Sequence, residues 1–324
     1  MSPHDSSSSV SRRHVLQGAA GLVAVGAASM SGPIQSATAA ESKPRGLTVK
    51  NNRINQSICH WPFANFGEKW SLDQTCQAAV QLGCKSVELL GPDSFATLKK
   101  HGLVCAMTNN GMPGAPFVKG LNNPKYQAQV IETTKKHIDA CAEAGMPNVI
   151  AFTGFKWVDV DDPSKGEIDP DEGAKNTVKG LKELTAYAEK KNVTICMEHL
   201  NSRVLNDNNR GHPGFQGDHI DYCADIIRAV GSPNCKLLFD IYHVQIMDGD
   251  VITRILDYGT DLIGHIHTAG NPGRCELDNE QEIAYAPIMR ALLKIGYKGY
   301  VGQEFIPTRD PMAGLRAAVA ECDV

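Results

Sequence analysis

The chain has 324 residues, 42% hydrophobic and 21% charged, with a formal net charge of −4. This is a globular composition, long enough for one large barrel or two smaller domains. It carries no basic surplus, which argues against nucleic acid as the main partner.

Residues 1–40 stand apart from the rest. A serine run, Ser6 to Ser9, precedes Ser11-Arg12-Arg13-His14-Val15-Leu16-Gln17. An Ala- and Gly-rich apolar stretch follows from Gly18 to about Met30, and Ala37-Thr38-Ala39 forms an A-x-A cleavage pattern. Paired arginines before a mild apolar core resemble a twin-arginine export signal, although Gln17 stands where a basic residue is usual. The stretch is too short and too weakly apolar for a convincing membrane span, which needs ~20 apolar residues. Cleavage would release the mature chain, and an uncleaved signal would act as an anchor. The expectation is a periplasmic or otherwise exported protein carried by the twin-arginine machinery. Ten cysteines occur, without a C-x-x-C pair or a disulfide-like spacing. They fall in or beside apolar strand-like and helix-like runs, so they are read as buried free thiols.

From residue 41 onward a single domain is expected. Strand patterns at 54–60, 86–90 and 104–108 are interleaved with a helix at 71–82 closed by Gly83. A long helical pattern at 126–144 stops at Gly145 and Pro147, before a strand at 148–153. Helix and strand then alternate: 171–190 and 193–199, 219–230 and 236–241, 251–258 and 262–268, 286–295 and 299–305. Eight strands with helical crossovers for most of them predict an α/β fold, a (β/α)8 TIM barrel. A doubly wound open sheet is the alternative, but no G-x-G-x-x-G follows the first strand. The polar, Gly-rich stretch 206–217 would be the loop after strand five, on the active face.

Four strands end in residues that an apolar core would not select. Strand five ends in Glu198-His199, strand six in Asp240, strand seven in His265-Ile266-His267, and strand eight in Gln303-Glu304-Phe305. All strand ends of such a barrel meet at one mouth, and alternate residues point inward. Glu198, Asp240, His267 and Glu304 can therefore gather around one point. Three buried carboxylates would resist ionising together, and a divalent cation supplies the compensating charge. This oxygen-rich set suits Mg2+, Mn2+, Co2+ or Zn2+ rather than a purely structural zinc. His265 shares strand parity with His267 and could replace it as a ligand. His199 and His60 are read as supporting or substrate-contacting residues, or as satisfied core histidines. Trp61 and Phe66 either wall the pocket or pack in the core.

Further segments resemble the xylose isomerase-like TIM-barrel superfamily, and within it the hydroxypyruvate isomerase family. They are Glu198-His199-Leu200-Asn201, His212-Pro213-Gly214-Phe215, Phe239-Asp240-Ile241-Tyr242-His243-Val244-Gln245 with Asp248-Gly249-Asp250, His265 through Arg274, and Gly302-Gln303-Glu304-Phe305. The resemblance covers residues 193–307; upstream, Val87-Glu88-Leu89 is only an echo. It implies a divalent metal held by Glu198, Asp240, His267 and Glu304. It also implies Glu198 and Glu304 as the acid/base pair, and His243 and Arg274 as substrate-binding residues. The sequence departs from the family in three places. His267 stands where hydroxypyruvate isomerases typically carry Gln and ketose 3-epimerases His, Arg274-Cys275-Glu276-Leu277 replaces an R-H-E-P run, and Phe305 replaces Tyr.

The implied activity is isomerisation of a small hydroxy-keto acid or sugar. A proton would move between adjacent carbons through an enediolate, with Arg274 pairing a substrate carboxylate. A ketose 3-epimerase is the alternative on the same barrel. An exported, non-catalytic sugar- or metal-binding protein is the alternative of another class, but it would be expected to lack the two glutamates. An endonuclease IV-like enzyme is disfavoured by the negative net charge and the export pattern. The sequence leaves the number of subunits open, a homo-oligomer included.

Overall fold

A computed structural model of the chain describes residues 47–205 and 209–324. The export signal expected at 1–40, and the start of the loop expected at 206–217, lie outside the described residues.

Among the described residues there are seven strands: β1 Asn55–Cys59, β2 Ser86–Glu88, β3 Asn148–Phe152, β4 Thr194–Glu198, β5 Cys235–Asp240, β6 Ile263–Thr268 and β7 Tyr300–Gln303. All pairings are parallel, and the order is β2-β1-β7-β6-β5-β4-β3. The expected third strand, 104–108, lies between β2 and β3 and bridges both, through Ser86–Val104, Leu90–Thr108 and Thr108–Val149. It closes the ring, so the architecture is the expected (β/α)8 barrel. It does not form a regular ladder because side chains take its backbone groups. Ser86 Oγ accepts from Ala106 N at 2.9 Å, Met146 Sδ from Cys105 N at 3.1 Å, and Asn148 Nδ2 donates to Ala106 O at 2.7 Å.

The helices are α1 His60–Asn65, α2 Leu72–Leu82, α3 Phe95–Lys100, α4 Pro124–Ala144, α5 Pro170–Glu189, α6 Ile220–Val230, α7 Ile241–Met247, α8 Val251–Leu262, α9 Tyr285–Lys294 and α10 Pro311–Cys322. Their ends follow local chemistry. Ser71 and Gln74 form a capping box at α2, and Gly83, in the left-handed region at φ 89°, ends it. Asn123 caps α4 ahead of Pro124, and Asp169 caps α5 ahead of Pro170. Helix α8 runs further than its sequence pattern and bends at Gly259. No described helix is long and apolar enough to cross a membrane.

The described residues form two apolar clusters. The larger lies between the ring and the helices and includes Phe239, Ile241, Leu292 and Val319. The smaller, Met107, Ile150, Phe152, Cys196, Leu200, Phe215 and Leu238, fills the barrel interior. Cys196 and Leu238 share strand parity with Glu198 and Asp240, so the same alternation that packs the interior carries those carboxylates to its mouth. All ten cysteines are free, and all but Cys275 are buried.

Candidate metal and proton-transfer site

Glu198, Asp240, His267 and Glu304 are buried, and each offers a ligand atom within 4.8 Å of those of the others. His267 Nδ1 lies 2.9 Å from Glu304 Oε2 and 3.3 Å from Glu198 Oε1. The local fold fixes each group. Asp240 ends β5 and also caps α7: its Oδ1 accepts from Tyr242 N at 2.8 Å and His243 N at 3.4 Å, leaving Oδ2 for the mouth. Glu304 follows β7, and its backbone N–H donates to Thr268 O at 2.9 Å. Trp61 Nε1–H donates to Glu304 Oε1 at 2.7 Å.

Arg274 is buried among these acids. Its Nη2 lies 2.6 Å from Glu304 Oε2 and 3.3 Å from Asp240 Oδ2, and its Nη1 donates to Asn209 O. The guanidinium also lies over the rings of Trp61 and Tyr242, at 5.3 and 5.6 Å. Arg274 and His267 together do not offset burial at all three carboxylates. Burial, opposed by His267 and reinforced by the charge of Glu304, pushes the Glu198 carboxyl up to about 7. Burial pushes Asp240 up to about 6 even with Arg274 beside it. Burial acts upward on Glu304 as well, but Arg274 and His267 outweigh it and hold its carboxyl below the usual range. A divalent cation would relieve the strain on Glu198 and Asp240. Three carboxylates and one imidazole also match the oxygen-rich preference of Mg2+, Mn2+, Co2+ and the catalytic form of Zn2+. The residues therefore fit a divalent metal.

Above the acids opens a cavity of about 360 Å³. Glu198, Glu304, Arg274 and His212 form its polar end, with Leu89, Met112, Phe117 and Phe152 among its apolar walls. Trp61 lines it too, which settles the alternative left open for that residue; Phe66 packs edge-on against Trp61 at 6.2 Å.

The other predicted residues do not line this cavity. His243 sits behind Asp240. Asn201 N and Nδ2 donate to its Nδ1 at 3.1 and 2.7 Å, so its proton sits on Nε2, 3.5 Å from Asp240 Oδ2. That Nε2 makes no hydrogen bond among the described residues, and the ring is not among those that line the cavity. His60 turns toward Thr75, with Nδ1 at 3.0 Å from Oγ1, and His199 packs by Phe239 and His243. Neither His60 nor His199, both expected to contact substrate, is among the residues that line the cavity. His265 faces Glu88, with Nε2 2.7 Å from Oε1, and is not grouped with the three acids.

Sequence reasoning passed over two residues. His212 was only part of a resembling segment, yet it lines the cavity, packed edge-on against Phe117 at 4.4 Å. Burial pushes its imidazole down to about 3, so it is neutral at physiological pH. Glu88 was only an echo, yet its Oε1 lies 2.8 Å from His267 Nε2. The signal available for it was a lone acid inside the apolar run of β2.

The family model for the xylose isomerase-like TIM barrel matches residues 76–321. The 2-oxo-tetronate isomerase of Cupriavidus necator is 35% identical over 262 residues, 77% of this chain and 92% of that protein. The hydroxypyruvate isomerase of Escherichia coli is 31% identical over 139 residues, 43% of this chain and 50% of that protein. A human relative is likewise matched over only 47% of its length. Among solved structures, the 3-keto-D-glucoside 4-epimerase of E. coli superposes with a TM-score of 0.65 at 18% identity, covering 82% of this chain and 98% of that one; at that identity the likeness concerns the fold alone. The chain belongs to the xylose isomerase-like TIM-barrel family, and within it to the isomerases related to hydroxypyruvate isomerase and 2-oxo-tetronate isomerase.

Proposed function

We propose that the protein is a divalent-metal-dependent isomerase of a small hydroxy-keto acid, with Glu198 and Glu304 as the proton carriers. The observation that carries this reading is the convergence of Glu198, Asp240, His267 and Glu304 within 4.8 Å, with both glutamates on the cavity wall. These four residues would hold the metal. When bound, such a cation supplies Lewis acidity that makes the C–H beside a carbonyl more acidic.

The chain's own groups do the rest. One glutamate takes the proton from the substrate carbon, and the C–H electron pair passes into the double bond of an enediolate. As that double bond forms the carbonyl π pair moves onto its oxygen; the other glutamate then returns a proton to the former carbonyl carbon, and the hydroxyl proton passes to that oxyanion as the new carbonyl forms. In the metal-free site burial pushes the Glu198 carboxyl up, whereas Arg274 and His267 outweigh burial at Glu304 and hold its carboxyl down. Arg274 would grip the substrate carboxylate; its Nε has no partner among the described residues. His212 would offer a neutral imidazole to a substrate hydroxyl. Leu89, Met112, Phe117 and Phe152 would present an apolar wall to the substrate carbons.

A ketose 3-epimerase is the second reading, favoured by a cavity of about 360 Å³, roomy for a three-carbon acid. Solvent-deuterium exchange separates the two. Purified protein with Mn2+ should exchange a carbon-bound proton of hydroxypyruvate or 2-oxo-tetronate and leave fructose and psicose unlabelled. A chelator should reduce the exchange at least ~10²-fold, in line with the loss of a positioned catalytic group, and Mn2+ should restore it. Exchange into the ketoses alone establishes the epimerase. Exchange into none of these substrates, with one metal bound per chain, supports a binding protein instead.

Export remains part of the proposal. A chain whose twin-arginine pair directs it abroad would fold and load its metal before crossing, with its cysteines reduced. The Arg12→Lys, Arg13→Lys double variant should then accumulate in the cytoplasmic fraction, whereas the unaltered chain is recovered outside it. Equal distribution of the two would remove the assignment.

A further inference from the structure

Glu88 is fully buried at the end of β2, where it pairs in register with Cys59, and among the described residues its ion pairs are with histidines, not with Lys or Arg. A buried carboxylate without partners is costly, so its surroundings must compensate it. They are two imidazoles. His265 Nε2 and His267 Nε2 lie 2.7 and 2.8 Å from the same oxygen, Oε1, and the Cys59 thiol lies 3.6 Å away. The backbone is shaped for this meeting. Gly302 on β7 pairs with His267, and a Cβ there would come within 2.4 Å of Glu88 Oε1 and 2.9 Å of His267 Cδ2.

An ionised carboxylate only accepts hydrogen bonds. Each imidazole must therefore present an Nε2–H to it. In a neutral His267 that leaves the lone pair on Nδ1, the nitrogen that faces Glu198 and Glu304. We propose that Glu88 is a positioning residue for metal binding: by accepting the Nε2–H of His267 it fixes the ring and the tautomer whose Nδ1 turns to the cation. His265 shares the same oxygen, at 2.7 Å, and so helps to hold the carboxylate where His267 meets it. This inference rests on the metal reading proposed above.

The test uses Zn2+ and the full chain, with affinity read by competition against a chromophoric chelator. Glu88→Gln should weaken Zn2+ binding about 10–100-fold, the effect usual for losing the partner of a metal-bound imidazole. Affinity within threefold of the unaltered protein would overturn the proposal. A long-range proton–nitrogen NMR spectrum of the Zn2+-loaded unaltered protein gives a readout that a merely structural role would not move, and it stands even if the variant fails to fold. His267 should carry its proton on Nε2 and its metal on Nδ1; the reverse overturns the proposal. So does a second Zn2+ per chain that Glu88→Gln abolishes, because Glu88, His265 and His267 would then be ligands themselves. If Zn2+ binding is unaffected by Asp240→Asn, the metal reading itself fails and this inference with it. If Asp240→Asn weakens binding and Glu88→Gln does not, only the positioning role is lost.

Discussion

The Glu304→Gln variant should fold, keep its far-UV circular dichroism spectrum, and lose about 10²–10⁴-fold of its proton-exchange rate, the contribution of a positioned acid/base group. The change is nearly isosteric. The amide oxygen can still accept from Trp61 Nε1, which now bonds Oε1 at 2.7 Å. What disappears is a negative charge at the point where Arg274 Nη2 and His267 Nδ1 meet Oε2, at 2.6 and 2.9 Å. An amide cannot take up a proton from carbon at neutral pH, so the loss should fall on kcat. Because Glu304 is also a proposed ligand, affinity for Mn2+ is measured in parallel. An unchanged kcat at saturating Mn2+ would remove Glu304 from the chemistry.

The acidic or imidazole ends of the last four strands were legible because the barrel writes them twice in the sequence. Each closes an apolar run, and each keeps the parity of interior residues such as Cys196 and Leu238. The direction of Asp240 was not legible, because it depends on α7 starting immediately after β5, and a helix of seven residues shows little periodicity. The same brevity hid α1 and α3. Helix α10 announced itself with Asp310 and Pro311, but its Ala- and Gly-rich run Ala313-Gly314-Leu315-Arg316-Ala317-Ala318 presents too weak a stripe. The segment 104–108 reads as a strand and occupies a strand's place, yet side chains from Ser86, Met146 and Asn148 replace its ladder bonds, and no local pattern encodes that.

Histidines were harder to read than acids. An imidazole at a strand end serves equally to fill space, buttress a neighbour or bind a ligand, and partners distant in sequence decide among these. His243 was placed by Asn201 and His265 by Glu88, 42 and 177 residues away in the chain. Glu88 escaped because β2 is only three residues long, with apolar neighbours on both sides, so its meaning appears only when β6 and the bare backbone of Gly302 come beside it.

Arg274→Ala should have the largest effect on stability, and the effect should depend on metal. In chelated protein the variant leaves Asp240 and Glu304 buried without the guanidinium that now lies 3.3 and 2.6 Å from them. Removing one partner of such a buried ionic group costs about 3–5 kcal/mol. For a domain of this size that corresponds to a fall in Tm of roughly 10 °C. A divalent cation supplies charge to the same carboxylates, so Mn2+ should raise the Tm of the variant more than that of the unaltered protein. Catalysis gives an independent reading. If Arg274 grips a carboxylate, KM for an active keto acid should rise about 10–100-fold, the range expected for losing hydrogen bonds between charged groups, while Mn2+-dependent exchange persists at high substrate concentration. A variant with unchanged KM but lowered Tm would show that the guanidinium serves only to neutralise the acids. One with unchanged Tm under chelation would show that those carboxylates shed their charge by taking up protons, a response for which burial has already prepared Asp240 by raising its pKa to about 6.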